Sequence, residues 1–179
     1  MDFIGPIAPT SSKANQYIII LVDHFTRHLF ADAAPRATGA VAQQLLERVA
    51  RLVWWPLAVY TDNGTHFIGT DFHQTLVKKN IKHVPAPRHH PQSVGLSERY
   101  VQLIMGALRK LVQHTEKVLW DTLLDDVISS INTRVLRIHC QPPAELLFGF
   151  TPRNHGDHSL DDVVILEGID QAAHGLRLT

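Results

Sequence analysis

Residues 17–23 read Tyr-Ile-Ile-Ile-Leu-Val-Asp, an unbroken apolar run that ends on a carboxylate. A short, continuous run of aliphatic and β-branched residues predicts a strand that is buried on both faces. Residues 38–53 then combine a capping Thr with apolar residues at helical spacing, and residues 57–60 form a second apolar run. The order strand, helix, strand predicts a right-handed crossover that pairs residues 17–22 with residues 57–60 in parallel.

The rest of the chain completes a mixed α/β pattern. We predict a turn-rich lead-in over residues 3–15, a strand at 28–34, helices at 71–79, 96–114, 120–131 and 143–148, a strand at 82–84 and an irregular loop at 85–95. One core domain is expected over residues 1–153, followed by a partly ordered tail over residues 154–179.

Composition restricts the class of protein. Of the 179 residues, 45% are hydrophobic and 19% are charged, a globular balance that excludes disordered and fibrous classes. No apolar run reaches the roughly 20 residues that span a bilayer, so we expect no membrane insertion. The single cysteine, Cys140, excludes a disulfide framework and a zinc ribbon built on cysteines, and it favours a reducing compartment.

The charges are unevenly distributed along the chain. The formal net charge is zero, yet residues 73–118 carry eight Lys and Arg against two acidic side chains. A basic stretch of this kind attracts phosphate backbones, although a merely solvated surface remains an alternative.

Three carboxylates are candidates for a metal site. Asp23 and Asp62 each directly follow a predicted strand, and Glu98 lies near the start of the predicted long helix. Ligand sites of α/β sheets gather at the carboxyl ends of the strands, and converging carboxylates favour a hard cation such as Mg²⁺. Each acid also has a local explanation, since Asp stabilises turns and Glu offsets a helix dipole.

Five separated motifs resemble the catalytic core of retroviral and retrotransposon integrases, most closely the gypsy-type LTR elements. They are Asp2-Phe3-Ile4-Gly5-Pro6, Val22-Asp23-His24-Phe25-Thr26-Arg27, Tyr60-Thr61-Asp62-Asn63-Gly64-Thr65-His66-Phe67, His90-Pro91-Gln92-Ser93 leading to Gly95 and Glu98-Arg99, and Asn132-Thr133-Arg134 with residues 143–153. The resemblance covers roughly residues 2–153 and includes the 35 residues between Asp62 and Glu98.

The resemblance implies a ribonuclease-H-like fold with a mixed five-stranded sheet flanked by helices. It implies a polynucleotidyl transferase that performs 3′-end processing and DNA strand transfer, with two Mg²⁺ or Mn²⁺ ions bound by Asp23, Asp62 and Glu98. The expected partners are element and target DNA and further copies of the chain, at least a dimer, in the nucleus after passage through the cytoplasm. Residues expected to contact DNA are Asn63, Lys78, Lys79, Lys82, Arg88, Gln92, Arg99, Arg109 and Lys110.

The sequence departs from the family pattern around the third acid. Val94, Leu96 and Val101 stand where the family usually has Asn, Gln and Asn. Apolar side chains cannot donate hydrogen bonds to phosphates or bases. A catalytically weakened or domesticated core that acts as a nucleic-acid-binding or protein-interaction module is therefore the alternative function.

Overall fold

The computed structural model describes residues 1–85, 91–113 and 117–150; for residues 70, 71, 91–94 and 117 it describes the backbone alone. This part of the chain contains five strands and six α-helices. In order they are β1 (Asp2–Ile4), β2 (Tyr17–Val22), β3 (Leu29–Ala34), α1 (Gly39–Val53), β4 (Ala58–Thr61), α2 (Thr65–Ile68), α3 (Thr70–Lys78), β5 (Lys82–Pro85), α4 (Pro91–Val112), α5 (Leu124–Thr133) and α6 (Pro143–Phe148), with a 3-10 turn at Lys117–Leu119. The predicted α/β class is confirmed.

The strands form two hydrogen-bonded groups. In the first, β2 lies between β1 and β3, and β1 pairs with β2 in antiparallel orientation, with Phe3 opposite Ile19. In the second, β4 and β5 run parallel, with Ala58 opposite Lys82 and Thr61 opposite Pro85. Asp62 therefore follows the carboxyl end of a parallel strand pair, and the partner of β4 in that pair is β5.

The predicted parallel pairing of β2 with β4 is wrong. Both edges of β2 are occupied, one by β1 and the other by β3. The lead-in segment supplies β1, and the Met1 nitrogen donates a hydrogen bond of 2.6 Å to the Tyr60 carbonyl on β4. The segment that reaches β4 is thus the turn-rich lead-in, which contains the three-residue strand β1.

The described part of the chain divides into two compact units, and residues 1–22, 30–85 and 91–98 form the first. Helix α1 begins where the Thr38 hydroxyl accepts a hydrogen bond from the Val41 amide, 3.3 Å away. Its apolar face contacts β2 and α3, and the β2 residues Ile18, Ile19 and Ile20 are fully buried. Burying an aliphatic side chain of this size stabilises the folded state by about 1.5–3 kcal/mol. The three isoleucines of β2 therefore account for much of the stability of the first unit.

The described residues of the second unit are 23–29, 99–113 and 117–150. Its apolar core includes Ile104 on α4, Val127 on α5 and the ring of Trp120. The buried Asn132 side chain at the end of α5 accepts a hydrogen bond from the Leu29 amide and donates one to the Leu29 carbonyl, each 2.8 Å long. This pair of bonds ties α5 to the first residue of β3.

Helix α4 begins earlier than the sequence predicted. We expected an irregular loop through Gly95, but residues 91–95 are helical, whereas residues 86–90 lie outside the described residues. Proline at the first position of a helix is favoured, because the N–H that it lacks has no partner inside the helix. Pro91 therefore starts the helix instead of preventing it.

Candidate active site

The best-defined part of the site is the turn that follows β4. Asp62 is the first residue after this strand, and its Oδ1 accepts a hydrogen bond of 2.9 Å from the Gly64 amide. About half of the Asp62 side chain is exposed. The turn thus holds the carboxylate in place and leaves one oxygen accessible to a ligand.

A second carboxylate, Asp2 on β1, lies close enough to Asp62 for their charges to interact. Burial raises the pKa of the Asp2 carboxyl, and the charge of Asp62 raises it further, against the lowering effect of the hydrogen bond from the Phe3 amide. That amide lies 2.8 Å from Asp2 Oδ1. Two neighbouring carboxylates in a partly buried position repel each other, and a divalent cation between them would remove that repulsion.

The imidazole of His66 borders this pair of acids. Its ring packs against Phe3 and Phe67, with centroid distances of 4.6 and 4.4 Å, and its Nε2 lies 3.9 Å from Asp62 Oδ1. A side chain at Gly64 would not fit here, because its Cβ would come within 2.5 Å of that imidazole. Gly64 is therefore required for the ring to approach Asp62.

Asp23 belongs to the other compact unit and stabilises a turn there. Its Oδ2 accepts hydrogen bonds from the Thr26 amide at 2.8 Å and the Thr26 hydroxyl at 2.7 Å, and its amide donates to the His28 carbonyl. These bonds close the tight link between β2 and β3, in which Arg27 has a positive φ of 65°. The role of Asp23 as a metal ligand stays a prediction.

Glu98 is exposed on α4, in the first compact unit. Among the described residues, no group of three or more His, Cys, Asp and Glu side chains is placed to hold a metal ion. The carboxylate that lies near Asp62 is that of Asp2. The assembly of Asp23, Asp62 and Glu98 into one metal site stays a prediction.

Sequence reasoning missed Asp2 as a site residue. The signal was present, because Asp2 opens the first of the motifs that resemble integrases. It was hidden because the surrounding segment is rich in turn-forming residues, so no strand was expected there. An acid is more easily recognised at the end of a long apolar run than within a three-residue strand.

The predicted DNA-binding residues occupy several places. Asn63 is exposed beside Asp62, and Arg109 and Lys110 are exposed near the end of α4. Arg99, in the first half of the same helix, is half-buried. Lys78, Lys79 and Lys82 are exposed near the start of β5, at the opposite end of the β4–β5 pair from Asp62. Only the backbone of Gln92 is described, and Arg88 lies outside the described residues. Contact of these residues with DNA stays a prediction.

The chain resembles transposon and retroviral polyproteins in sequence. Residues 1–91 match the integrase core domain family. The Pol polyprotein of transposon 412 from Drosophila melanogaster is 30% identical over 153 residues, which cover 84% of this chain and 12% of that protein. The Pro-Pol polyprotein of feline foamy virus is 27% identical over 149 residues, or 83% of this chain and 12% of that protein. The chain thus spans about an eighth of the length of these relatives.

Solved structures have the same fold. The catalytic core domain of HTLV-2 integrase, in complex with magnesium, superposes with a TM-score of 0.64 at 19% identity, over 82% of this chain and 95% of that one. An integrase chain of the simian T-cell lymphotropic virus intasome gives a TM-score of 0.69 at 23% identity, over 88% of this chain and 58% of that one. The predicted ribonuclease-H-like fold is confirmed. With half of its residues matching the family and its fold shared with retroviral integrase cores, the chain belongs to the integrase core domain family.

Proposed function

We propose that this chain is the catalytic core of a polynucleotidyl transferase that integrates DNA. The observation that carries the proposal is the pair of acids Asp2 and Asp62, whose charges interact at the carboxyl end of β4. Family membership supports the same function. The specific reactions would be 3′-end processing of element DNA and transfer of the processed strand into target DNA.

The residues present fit a divalent metal. Asp2 and Asp62 bring oxygen ligands together, and such oxygens are what Mg²⁺ and Mn²⁺ prefer. We propose that these two acids hold the metal, with Glu98 as the third ligand. Two bound ions would activate a water or a DNA 3′-hydroxyl and stabilise the leaving oxygen.

The protein itself contributes orientation and binding. The Gly64 amide fixes one oxygen of Asp62, and the Phe3 amide fixes one oxygen of Asp2, so both carboxylates are oriented before substrate arrives. Pre-oriented ligands lower the cost of reaching the reactive geometry. The exposed cations of α4, Arg109 and Lys110, would bind the phosphate backbone of DNA.

A matched pair of variants decides which aspartate acts with Asp62. Asp2→Asn and Asp62→Asn should each lower Mn²⁺-dependent nicking and strand transfer of labelled DNA by at least about 100-fold, because each removes a proposed ligand. Asp23→Asn should keep activity within a few fold, since the contacts of Asp23 stabilise a turn. Asp125→Asn, at an exposed position on α5, serves as the control.

The reverse outcome would contradict the Asp2 assignment. If Asp23→Asn abolishes nicking while Asp2→Asn retains it, the set Asp23, Asp62 and Glu98 predicted from the sequence is correct. Thermal unfolding of each variant shows whether a lost activity reflects a lost fold.

The second candidate is a nucleic-acid-binding or protein-interaction module without catalysis. It is favoured by Leu96 and Val101 on α4, where the family pattern has amides. A wild-type chain that binds DNA, binds no Mn²⁺ in calorimetric titration and nicks nothing would establish this alternative.

We also propose that the chain assembles at least into a homodimer and works on DNA in the nucleus. The dimeric and trimeric forms of the HTLV-2 integrase core support the assembly. No helix in the described ranges is long and apolar enough to cross a membrane. Sedimentation of the purified chain measures the oligomeric state.

A further inference from the structure

A short hydrogen-bonded chain links β5 to the residue after β4. Thr61, the last residue of β4, is buried. Its Oγ1 lies 2.8 Å from the main-chain carbonyl oxygen of Asp62 and 2.9 Å from Nε2 of His83 on β5. All three residues lie in the first compact unit, and the parallel β4–β5 pairing places the two strands side by side at this point.

The single hydroxyl proton of Thr61 determines the direction of both bonds. A hydroxyl can donate one hydrogen bond and accept two. Because a carbonyl oxygen can only accept, Thr61 Oγ1 donates to Asp62 and must accept from His83. The His83 ring therefore carries a proton on Nε2.

The surroundings of His83 hold its ring in that orientation. The ring meets the Phe72 ring edge to face, with a centroid distance of 6.0 Å, and lies 6.5 Å from the His73 ring. Burial lowers the pKa of His83, and the nearby His73 lowers it further. A neutral ring whose Nε2 is protonated can donate to Thr61 without bringing a buried charge beside the strand.

We propose that His83 is a positioning residue for Asp62, acting through the Thr61 hydroxyl. The chain of two hydrogen bonds fixes the Asp62 carbonyl, while the Gly64 amide fixes its carboxylate. Held at both ends, Asp62 keeps one orientation toward Asp2. This inference rests on the proposed metal-dependent function and adds a residue that touches neither metal nor substrate.

The test compares three variants of the full 179-residue chain. His83→Gln keeps an N–H donor at the end of the side chain, His83→Phe keeps the ring packed on Phe72 without a donor, and Thr61→Val removes the hydroxyl at nearly constant shape. Losing a partner that orients a metal ligand typically lowers metal affinity or activity 10- to 100-fold. We expect His83→Phe and Thr61→Val to weaken Mn²⁺ binding and to lower kcat about 10-fold with little change in the KM for DNA, and His83→Gln to stay within about threefold of wild type.

Nuclear magnetic resonance gives a readout that does not need activity. Correlation of the ring nitrogens should place the His83 proton on Nε2, and the carboxyl ¹³C signal of Asp62 should shift in His83→Phe but not in His83→Gln. A proton on Nδ1 of His83, or an Asp62 carboxyl signal that is unchanged in both variants, would overturn the inference.

The two proposals can fail separately. A wild-type chain that binds no Mn²⁺ and nicks no DNA removes the proposed function, and the magnetic resonance result still decides whether His83 positions Asp62. The other outcome is an active wild type and a His83→Phe variant with the same Mn²⁺ affinity, the same kcat and the same thermal stability. In that case His83 packs against Phe72 and does not position Asp62.

Discussion

At the scale of single residues, Trp54 has a costly backbone conformation. It follows α1 with φ of 79° and ψ of 169°, a region that is essentially restricted to glycine. The indole is 80% exposed, so its burial recovers little of that cost. The neighbouring Trp55 is half-buried, and the Lys79 ammonium lies 4.6 Å from its ring centroid.

Trp54→Gly should stabilise the fold. Relief of about 1–3 kcal/mol of backbone strain exceeds the roughly 1 kcal/mol that glycine costs through the unfolded chain. We expect a gain of about 1 kcal/mol, equivalent to roughly 2–4 °C in the midpoint of thermal unfolding. Trp55→Gly is the control and should destabilise, because it removes a packed ring; an equal loss in both variants would contradict the strain argument.

His28 makes the stability of the second unit depend on pH. The side chain is buried with its ring against Phe148, and burial lowers its pKa to about 4, while the charge of Asp23 opposes that shift. Between about pH 4 and pH 6.5, His28 therefore binds a proton in the unfolded chain but not in the folded chain. The contribution of His28 to stability is full above pH 6.5 and falls as the pH decreases.

Urea unfolding at pH 7 and pH 5 measures this effect. Wild type should lose roughly 2 kcal/mol more than His28→Gln between the two values, because the variant lacks the titrating ring. His24→Gln, at an exposed position in the same turn, should lose as much as wild type. Parallel behaviour of all three proteins would show that His28 is not responsible.

At the scale of elements, Asn132 explains how α5 is attached to β3. Its amide side chain makes both hydrogen bonds that Leu29 would otherwise make to a neighbouring strand. The sequence had marked Asn132 as part of a family motif, without a reason. The reason is the backbone of a residue 103 positions earlier, which no local pattern can indicate.

Asn132→Ala should destabilise the protein by about 2–4 kcal/mol, because it leaves the buried amide and carbonyl of Leu29 without partners. Thr133→Ala is the control, since the hydroxyl of the half-buried Thr133 donates a hydrogen bond within α5, to the Ser129 carbonyl. Its cost should stay below about 1 kcal/mol. Chemical denaturation measures the loss of stability in both variants. Equal losses would contradict the role of Asn132 in attaching α5 to β3.

At the scale of the whole molecule, the charge distribution separates two ends of the β4–β5 pair. Asp62 lies at the carboxyl end, whereas Lys79 and Lys82 lie near the start of β5. Lys79 and Lys82, which belong to the basic stretch at residues 73–118, therefore lie away from Asp62 on this strand pair. The cations of α4 remain the best candidates for binding DNA near Glu98 on the same helix.

The salt dependence of DNA binding tests that assignment. Replacing Arg99 and Arg109 with Ala should flatten the slope of log affinity against log salt by up to about 2, because two phosphate contacts are lost. The control replaces Arg36 and Arg51, exposed residues outside the predicted surface. Equal slopes in wild type and the Arg99/Arg109 variant would leave these arginines without a role in DNA binding.

The sequence by itself determined several of the elements and the family. Helical spacing predicted α1 almost to the residue, the apolar run predicted β2, and the turn after β4 identified Asp62. These features are local, because each depends on residues a few positions apart. The motifs identified the family for the same reason, because each motif is short and they follow one another in order along the chain.

Only the tertiary structure decided which strands are neighbours. Periodicity indicates which face of a strand is buried but not which element covers it. The sequence therefore predicted that β2 pairs with β4. In the structure, β1 pairs with β2, and Met1, the residue before β1, bonds to the Tyr60 carbonyl on β4. That one pairing places Asp2 beside Asp62, 60 residues away in sequence. The same limit applies to His83 and Thr61, whose contact depends on the register of β4 against β5.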